Sequence, residues 1–316
     1  MLGRMLEMEK MKAYVRINAK NDHVELKEVA IPEIDKDEVL VKVQAFGVGI
    51  HDRYFIPTNV RFPYPIGNEA AGIIMKKGND VSGFQNGDRV ILSSSMQQKG
   101  GCWAQYVAVS SKMLIPMPNG IDFTQGAAIP VAGKTAVESM RALDLKTGDT
   151  LFVAGASGAI GTLIIQLAKN QGIRVMGSAS SKNHEHMLSL GAEKAVDYSN
   201  PDWKDHVKQW IPGGVDAALA IQLGTGEDSM DVVKDGGKVI TVSGDKVESE
   251  RNIIVKQFQH QLDIQHAIGM LVEDIAAGKI HPVIEHVYSF EKALDALKKT
   301  ETRHARGKLV VSMTEA

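Results

Sequence analysis

The stretch that most constrains this chain is residues 151–168, LFVAGASGAIGTLIIQLA. Its first four residues are apolar and predict a buried parallel strand, and the apolar residues after the glycines predict a helix. Gly155 permits a tight turn, Gly158 lets a diphosphate approach the backbone, and Gly161 lets the helix pack close to the strand. This order predicts a dinucleotide-binding unit, although the spacing G-x-x-G-x-x-G also suits an ordinary small-residue turn in a βαβ unit.

From residue 150 onward, strand and helix patterns alternate. The predicted strands are 151–154, 173–178, 194–198, 215–220, 238–243 and 252–258. The predicted helices are 161–170, 183–190, 202–210 and 226–234, with Gly236 and Gly237 expected just past the end of the last one. Strict alternation predicts an α/β fold with a parallel, doubly wound sheet and a ligand at the carboxyl ends of its strands.

The residues before this segment follow a different pattern. Apolar and polar residues alternate with a period of two, as at Val39, Val41 and Val43, and this pattern is typical of strands in a partly open barrel. Strand character returns after a predicted helix over 262–278. We therefore expect a β-rich domain formed by 11–120 and 270–316, and an alternating domain formed by 121–269 inserted between them.

Composition excludes several classes of protein. The net charge of −2 over 316 residues argues against a nucleic-acid-binding surface. The single cysteine, Cys102, excludes an intramolecular disulfide framework and suits a reducing compartment, so we expect a cytoplasmic protein. No apolar run is long enough for a membrane helix, and the first ten residues lack the apolar core of a signal peptide.

Six segments carry a resemblance to a known family. They are GDRV at 87–90, IPVAGKTA at 129–136, AGASGAIG at 154–161, LGAEKAVDY at 190–198, DGGKVITVSG at 235–244 and RGKLVV at 306–311. With these segments the chain resembles the zinc-independent, zeta-crystallin-like quinone oxidoreductases of the medium-chain dehydrogenase/reductase superfamily. The resemblance implies a GroES-like β-rich catalytic domain, a Rossmann domain, a nicotinamide cofactor and a homodimer through the predicted strand at 252–258.

Two substitutions argue against a catalytic zinc. Zinc-containing relatives carry a cysteine where this chain has Gly49, and a histidine where it has Asn68. A catalytic zinc needs about three protein ligands, which His51, Asp52 and Glu69 could supply in principle. Since the resemblance makes Asp52 and Glu69 framework carboxylates, we predict no bound metal.

The stretch after the second predicted strand of the alternating domain indicates which nicotinamide cofactor is used. An NAD site usually places Asp or Glu about twenty residues after the first glycine, but 175–182, VMGSASSK, has no carboxylate. Hydroxyls and an ammonium favour a 2′-phosphate, so we expect NADPH to be preferred over NADH. Lys182 could instead be a solvated residue at a helix start, and Tyr198 a strand-end aromatic. The resemblance implies that Thr135 and Gly244 lie beside the nicotinamide and that Tyr198 packs on the adenosine phosphate. The other residues expected to bind NADPH are Gly155, Ala156, Ser157, Gly158, Ala159, Ile160, Gly161, Ser178, Ser180, Ser181 and Lys182.

The resemblance also suggests a proton donor. Tyr54 resembles the tyrosine of the family stretch D-x-Y and is the first candidate, and His51, Tyr64 and Lys134 are others. Without a metal, hydrogen-bond donors must polarise the substrate carbonyl. The expected activity is NADPH-dependent hydride transfer to a quinone or to an activated C=C bond of an enone or enal. Family members often have asparagine where Gly49 stands, so the substrate stays open. An NADPH-binding protein with a structural or regulatory role is the alternative.

Overall fold

The computed structural model describes residues 9–314. The first part of the chain forms a β-rich lobe around one long strand. Its strands are β1 Lys10–Arg16, β2 Val24–Ala30, β3 Glu38–Val48, β4 Tyr64–Pro65, β5 Glu69–Lys77, β6 Arg89–Ser93, β7 Tyr106–Ser110 and β8 Leu114–Pro116. β3 pairs antiparallel with both β5 and β7. Val39, Val41 and Val43 of β3 are buried, as a period of two predicts.

The middle of the chain forms an alternating lobe. Its elements are α1 Phe123–Ala127, α2 Pro130–Leu143, β9 Thr150–Ala154, α3 Ala159–Asn170, β10 Arg174–Ser178, α4 His184–Leu190, β11 Lys194–Val196, α5 Trp203–Trp210, β12 Val215–Ala220, α6 Gly226–Asp231, β13 Val233–Thr241, β14 Ile254–Gln257 and α7 Ile264–Ala276. The six strands are parallel in the order β11-β10-β9-β12-β13-β14. This order, 3-2-1-4-5-6, confirms the doubly wound Rossmann sheet, and its switch point lies between β9 and β12.

The last part of the chain returns to the β-rich lobe. It contains β15 Ile284–Ser289, α8 Ala293–Glu301 and β16 Lys308–Ser312. β16 pairs antiparallel with β3, so the last strands of the described chain join the sheet that contains β3, β5 and β6. The expected domain boundary between residues 269 and 270 falls inside α7. Ile268 and Leu271 of α7 lie in the same core as the buried residues of α2 and α3, so the chain changes lobe between α7 and β15.

One expected helix is shorter than its pattern indicated. The helix predicted over 226–234 ends at Asp231, and β13 begins at Val233. Gly236 has a φ of +71°, but it lies inside β13 rather than after a helix. The pairing of β12 with β13 shifts register between Val215 and Ala217, so the two glycines belong to an irregularity in the strand. Over residues 9–314, no helix is both long and apolar enough to cross a membrane.

Candidate active site

The glycine turn lies at the carboxyl end of β9. Gly155 has a φ of +85°, which an L side chain rarely adopts, and Gly158 caps the start of α3. A Cβ on Gly161 would lie 2.5 Å from Cα of Ala156, so only glycine lets the helix approach the turn this closely. The free N–H groups at the start of α3, from Ala159 onward, make a place for a diphosphate.

A cavity of about 320 Å³ opens beside this turn. It is lined by Gly155, Ser157 and Gly158 of the turn and by residues that follow β10, β11 and β12. It therefore lies at the switch point, where an open parallel sheet binds its ligand. The remaining residues of the turn, Ala156, Ala159, Ile160 and Gly161, do not line the cavity.

The end of the cavity that lies beside β10 and β11 is rich in hydroxyls. Ser178, Ser180, Lys182 and Tyr198 line it, and Ser180 Oγ lies 3.4 Å from Tyr198 Oη. Ser181 does not line the cavity. Its backbone N–H donates to the carboxylate of Asp197, which directly follows β11.

Asp197, directly after β11, is a carboxylate near this end that the residues after the second strand did not predict. It accepts hydrogen bonds from the backbone N–H of Ser181 at 2.7 Å and from both the N–H and the hydroxyl of Ser199. The Ser199 hydroxyl is the main cause of a pKa lowered to about 2, so Asp197 is charged at neutral pH. Its donors come from the chain itself, and Asp197 does not line the cavity.

Two expected cofactor residues and one expected donor stand apart from the cavity. Thr135 is buried in α2 and its hydroxyl donates to the Val131 carbonyl at 2.9 Å. Gly244 is exposed, and its carbonyl accepts from Gln257 Nε2 at 3.2 Å. Lys134, also on α2, is half-buried and outside the cavity lining.

The segment before β16 forms one wall of the cavity, which the sequence did not predict. Arg303, His304 and Ala305, just before β16, line the same cavity. The N–H of Gly307 donates to the Ser157 carbonyl at 2.8 Å, so the β-rich lobe supports the glycine turn directly. These residues are about 150 positions from the turn, and no local pattern could have joined them to it.

The loop after β3 carries the expected proton donors. Tyr54 is 51% exposed, whereas His51 stacks on Phe55 with ring centroids 5.1 Å apart. Burial of the ring, with a smaller contribution from the positive charge of Arg303, lowers the pKa of His51. His51 is therefore mainly a neutral imidazole at pH 7 and a weak source of protons.

Tyr64 has a different environment from the other expected donors. Its side chain is buried, and its hydroxyl donates to the Gln97 carbonyl at 2.5 Å. Burial also raises the pKa of this hydroxyl. The Tyr64 hydroxyl therefore bonds the 94–100 loop and is not free to donate to a substrate.

A buried polar cluster lies behind the 49–54 loop. The carboxylate of Asp52 accepts from the Gly49 N–H at 2.7 Å and from Asn68 Nδ2 at 2.5 Å. The neighbouring Glu69 pairs with Lys308 and accepts the Val131 N–H at 2.7 Å. These bonds link β3, β5, β16 and the start of α2 at one point.

Comparison with known proteins places the chain in a family. A model described as "Alcohol dehydrogenase GroES-like domain" matches residues 35–119, and one described as "Zinc-binding dehydrogenase" matches 190–311. The chain is 31% identical to an NADPH-dependent alkenal/one oxidoreductase of Arabidopsis thaliana, over 90% of this chain and 74% of that protein. It is 29% identical to the quinone oxidoreductase of Rattus norvegicus, over 89% of this chain and 90% of that protein. The chain belongs to the quinone oxidoreductase group of the medium-chain dehydrogenase/reductase superfamily.

This protein of the quinone oxidoreductase group also has the same fold as a solved structure. The quinone oxidoreductase of Coxiella burnetii superposes with a TM-score of 0.86 and 26% identity, covering 97% of this chain and all of that one. The resemblance drawn from the six segments is confirmed, and with it the β-rich GroES-like domain and the Rossmann domain. The protein is an oxidoreductase, and its superfamily uses a nicotinamide cofactor.

One of the matching family models is described as zinc-binding, but this chain of the quinone oxidoreductase group lacks the residues of a catalytic zinc site. Gly49 has no side chain to ligate a metal, and the amide of Asn68 is occupied by Asp52 and by the Ser95 hydroxyl, 3.1 Å away. Within residues 9–314, no group of three His, Cys, Asp or Glu side chains could hold a metal ion. The residues at these positions therefore do not fit a catalytic zinc.

Proposed function

We propose that this protein uses NADPH to reduce a quinone or an activated C=C bond without zinc. The observation that carries the proposal is the cavity at the switch point, whose end beside β10 and β11 offers Ser178, Ser180, Lys182 and Tyr198. An ammonium and several hydroxyls stabilise a 2′-phosphate, which a carboxylate there would repel. The printed name of the Arabidopsis relative, which includes NADPH, agrees with this preference.

Lys182→Ala tests the cofactor preference. Because the ammonium would meet only the 2′-phosphate, we expect the Kd for NADPH to rise about tenfold while the Kd for NADH stays unchanged. Binding can be followed by the fluorescence of the reduced nicotinamide. Lys146→Ala is the matched control, since Lys146 is an exposed lysine away from the cavity. Equal Kd values of the wild type for NADPH and NADH would contradict the preference.

The substrate we propose has a carbonyl conjugated to the carbon that accepts the hydride. A bound reduced nicotinamide supplies hydride to an electron-poor carbon. The chain must then orient the acceptor, exclude water and give a proton to the developing enolate or hydroquinone oxygen. Tyr54 is the donor we propose, because its hydroxyl is exposed and has no hydrogen-bond partner among the described residues, whereas His51 is mainly neutral. Relatives named for quinones and for alkenals or enones support both substrate types.

A small substrate panel tests the reaction. NADPH oxidation is measured with a naphthoquinone, a benzoquinone, an enal and a saturated aldehyde, and we expect turnover of a quinone or of the enal but not of the aldehyde. If Tyr54 donates the proton, Tyr54→Phe lowers kcat at least tenfold with little change in the Kd for NADPH. Tyr106→Phe, on a strand of the β-rich lobe, is the control. NADPH binding without turnover of any compound would favour a structural or regulatory role instead.

Metal analysis tests the zinc-independent part of the proposal. We expect the purified protein to carry far less than one zinc per chain, and dialysis against a chelator to leave turnover unchanged. One tightly held zinc per chain would contradict it.

A further inference from the structure

One side chain of the buried polar cluster connects two loops of the β-rich lobe. Asn68, directly before β5, donates from Nδ2 to Asp52 at 2.5 Å and accepts at Oδ1 from the Ser95 hydroxyl at 3.1 Å. Asp52 belongs to the 49–54 loop and Ser95 to the 94–100 loop. Asn68 is buried, so bulk water does not compete for these two bonds. The three side chains of Asp52, Asn68 and Ser95 are called the amide bridge below.

An amide suits the middle of the bridge because its two ends have opposite roles. A carboxylate such as Asp52 only accepts hydrogen bonds, so its partner must donate. The Ser95 hydroxyl donates in the bridge, so its partner must accept. A carboxylate at position 68 would repel Asp52, and an apolar residue would leave the neighbours on both sides without this partner.

The Asp52 end of the bridge fixes the turn that carries Tyr54. The other carboxylate oxygen of Asp52 accepts the N–H of Gly49 at 2.7 Å, directly after the end of β3. The N–H of Tyr54 donates to the His51 carbonyl at 2.8 Å, so Tyr54 belongs to the same turn. Since the Tyr54 side chain is half exposed, the backbone of the turn largely sets where its hydroxyl lies.

The Ser95 end of the bridge belongs to a loop with a strained backbone. Met96 has a φ of +59°, which a residue with a side chain rarely adopts. Bonds on both sides hold this conformation: the N–H of Ser94 donates to the Asn68 carbonyl at 2.8 Å, and the Gln97 carbonyl accepts a buried tyrosine hydroxyl. The 94–100 loop is therefore a fixed support against which the bridge holds the 49–54 loop.

Arg53 gives the 49–54 loop a second anchor. Its guanidinium pairs with Glu301 of α8 at 2.7 Å, and its carbonyl accepts from Arg16 Nη1 at 3.2 Å. These contacts do not pass through the amide bridge, so they remain when the bridge is cut. We therefore expect a variant without the bridge to fold with the turn displaced rather than lost.

We infer that Asn68 is the positioning residue for Tyr54, because the amide bridge joins the fixed 94–100 loop to the turn that carries the proposed proton donor. The inference rests on the proposed function, which gives Tyr54 its role. It assigns Asn68 no contact with the substrate or the cofactor, and no residue of the bridge lines the cavity at the switch point. Cutting the bridge should therefore lower kcat and leave the Kd for NADPH unchanged.

Asn68→Ala in two backgrounds tests whether the bridge acts through Tyr54. With the quinone or enal that wild type reduces fastest, we expect kcat to fall about tenfold and the Kd for NADPH to stay within about twofold. Tyr54→Phe has no hydroxyl to position, so there the same substitution should lower kcat by less than about twofold. Losses that multiply in the double variant would show that Asn68 acts apart from Tyr54 and would overturn the inference.

Two variants of Ser95 cut or keep the bridge without changing its buried middle. Ser95→Ala removes the hydroxyl and should lower kcat about fivefold, whereas Ser95→Thr keeps it and should stay within about twofold of wild type. Ser110→Ala is the matched control, because the Ser110 hydroxyl also donates to a side chain of this lobe, Asp37 at 3.2 Å. Equal kcat values for Ser95→Ala and Ser110→Ala would contradict the bridge.

Hydrogen exchange measures the turn itself and needs no turnover. In Asn68→Ala and Ser95→Ala, peptides covering 49–56 should exchange at least about threefold faster than in wild type, while those covering β9 and α3 should not change. Unchanged exchange over 49–56 would overturn the inference whether or not wild type reduces any acceptor. If Tyr54→Phe keeps full kcat, the inference fails with its donor, but reduction of the acceptor by NADPH still stands.

Discussion

At the scale of single residues, Asp52 shows burial opposing hydrogen bonding. Burial is the largest effect on the Asp52 pKa and raises it from 3.8 to about 6. The charge of Lys308 and the two hydrogen-bond donors favour the ionised carboxylate and partly oppose this rise. Its side chain is only 2% exposed. The folded protein therefore holds a proton on Asp52 more tightly than the unfolded chain does.

This shift predicts the pH dependence of stability. The unfolded carboxyl loses its proton near pH 3.8 and the folded one near pH 6. Because the folded state binds more protons between these values, the Asp52 contribution to the free energy of unfolding falls as pH rises, by about 3 kcal/mol in all. Urea titrations at pH 4 to 7 should show this slope removed in Asp52→Asn and kept in Asp88→Asn, where the loop carboxyl also accepts an N–H. Identical slopes for Asp52→Asn and wild type would refute the assignment.

At the scale of elements, the start of α2 depends on residues from two strands. Pro130 occupies the first turn, where its missing N–H costs nothing, and the next N–H, of Val131, goes to Glu69 of β5. Glu69 in turn pairs with Lys308 of β16, and both side chains are buried. The ion pair therefore holds a helix of the alternating lobe against the sheet of the β-rich lobe.

Removing one partner of this pair should be costly. Lys308→Met leaves the Glu69 charge buried without its cation, and we expect a loss of about 3–5 kcal/mol in the free energy of unfolding. The double variant Glu69→Gln with Lys308→Met should lose less than the sum of the single losses. Lys299→Met is the control: its 3.7 Å pair with Glu285 is partly exposed and worth at most about 1 kcal/mol. Additive losses in the double variant would contradict the coupling.

At the scale of the whole molecule, one edge of the six-stranded sheet is suited to pairing with a second chain. β14 is the terminal strand, and Ile254 on it is 48% exposed. An apolar edge strand is normally covered or paired, so we propose a homodimer formed through β14 of each chain.

Light scattering after size exclusion tests the dimer. We expect wild type at twice the mass of the chain and Ile254→Lys at lower mass at micromolar concentration, because a charge on the edge opposes pairing. Met270→Lys is the control, since Met270 is the most exposed large apolar residue of the described chain but lies on α7. A monomeric wild type would refute the proposal.

The sequence predicted those parts of the site that depend on residues close together in the chain. The glycine turn, its strand and its helix were predictable because each depends on neighbours in the chain, and the order of βα units predicted the sheet. Arg303 and His304 were not predictable, since tertiary packing brings them to the cavity from a distant part of the chain. Gly236 was misassigned because a positive φ suits a helix end and a strand irregularity equally well.

The hydrogen bond from Gly307 to Ser157 sets an order of events during synthesis. The glycine turn lies near the middle of the chain, but the backbone group that supports it lies about 150 residues later. A Cβ on Gly307 would lie 2.3 Å from the Val283 carbonyl, so this late contact also needs a glycine. A nascent chain can thus form β9 and α3 while still on the ribosome. The hydrogen bond that supports the glycine turn can form only after residue 307 has been synthesised, so the cofactor site that we propose there would be completed late in synthesis.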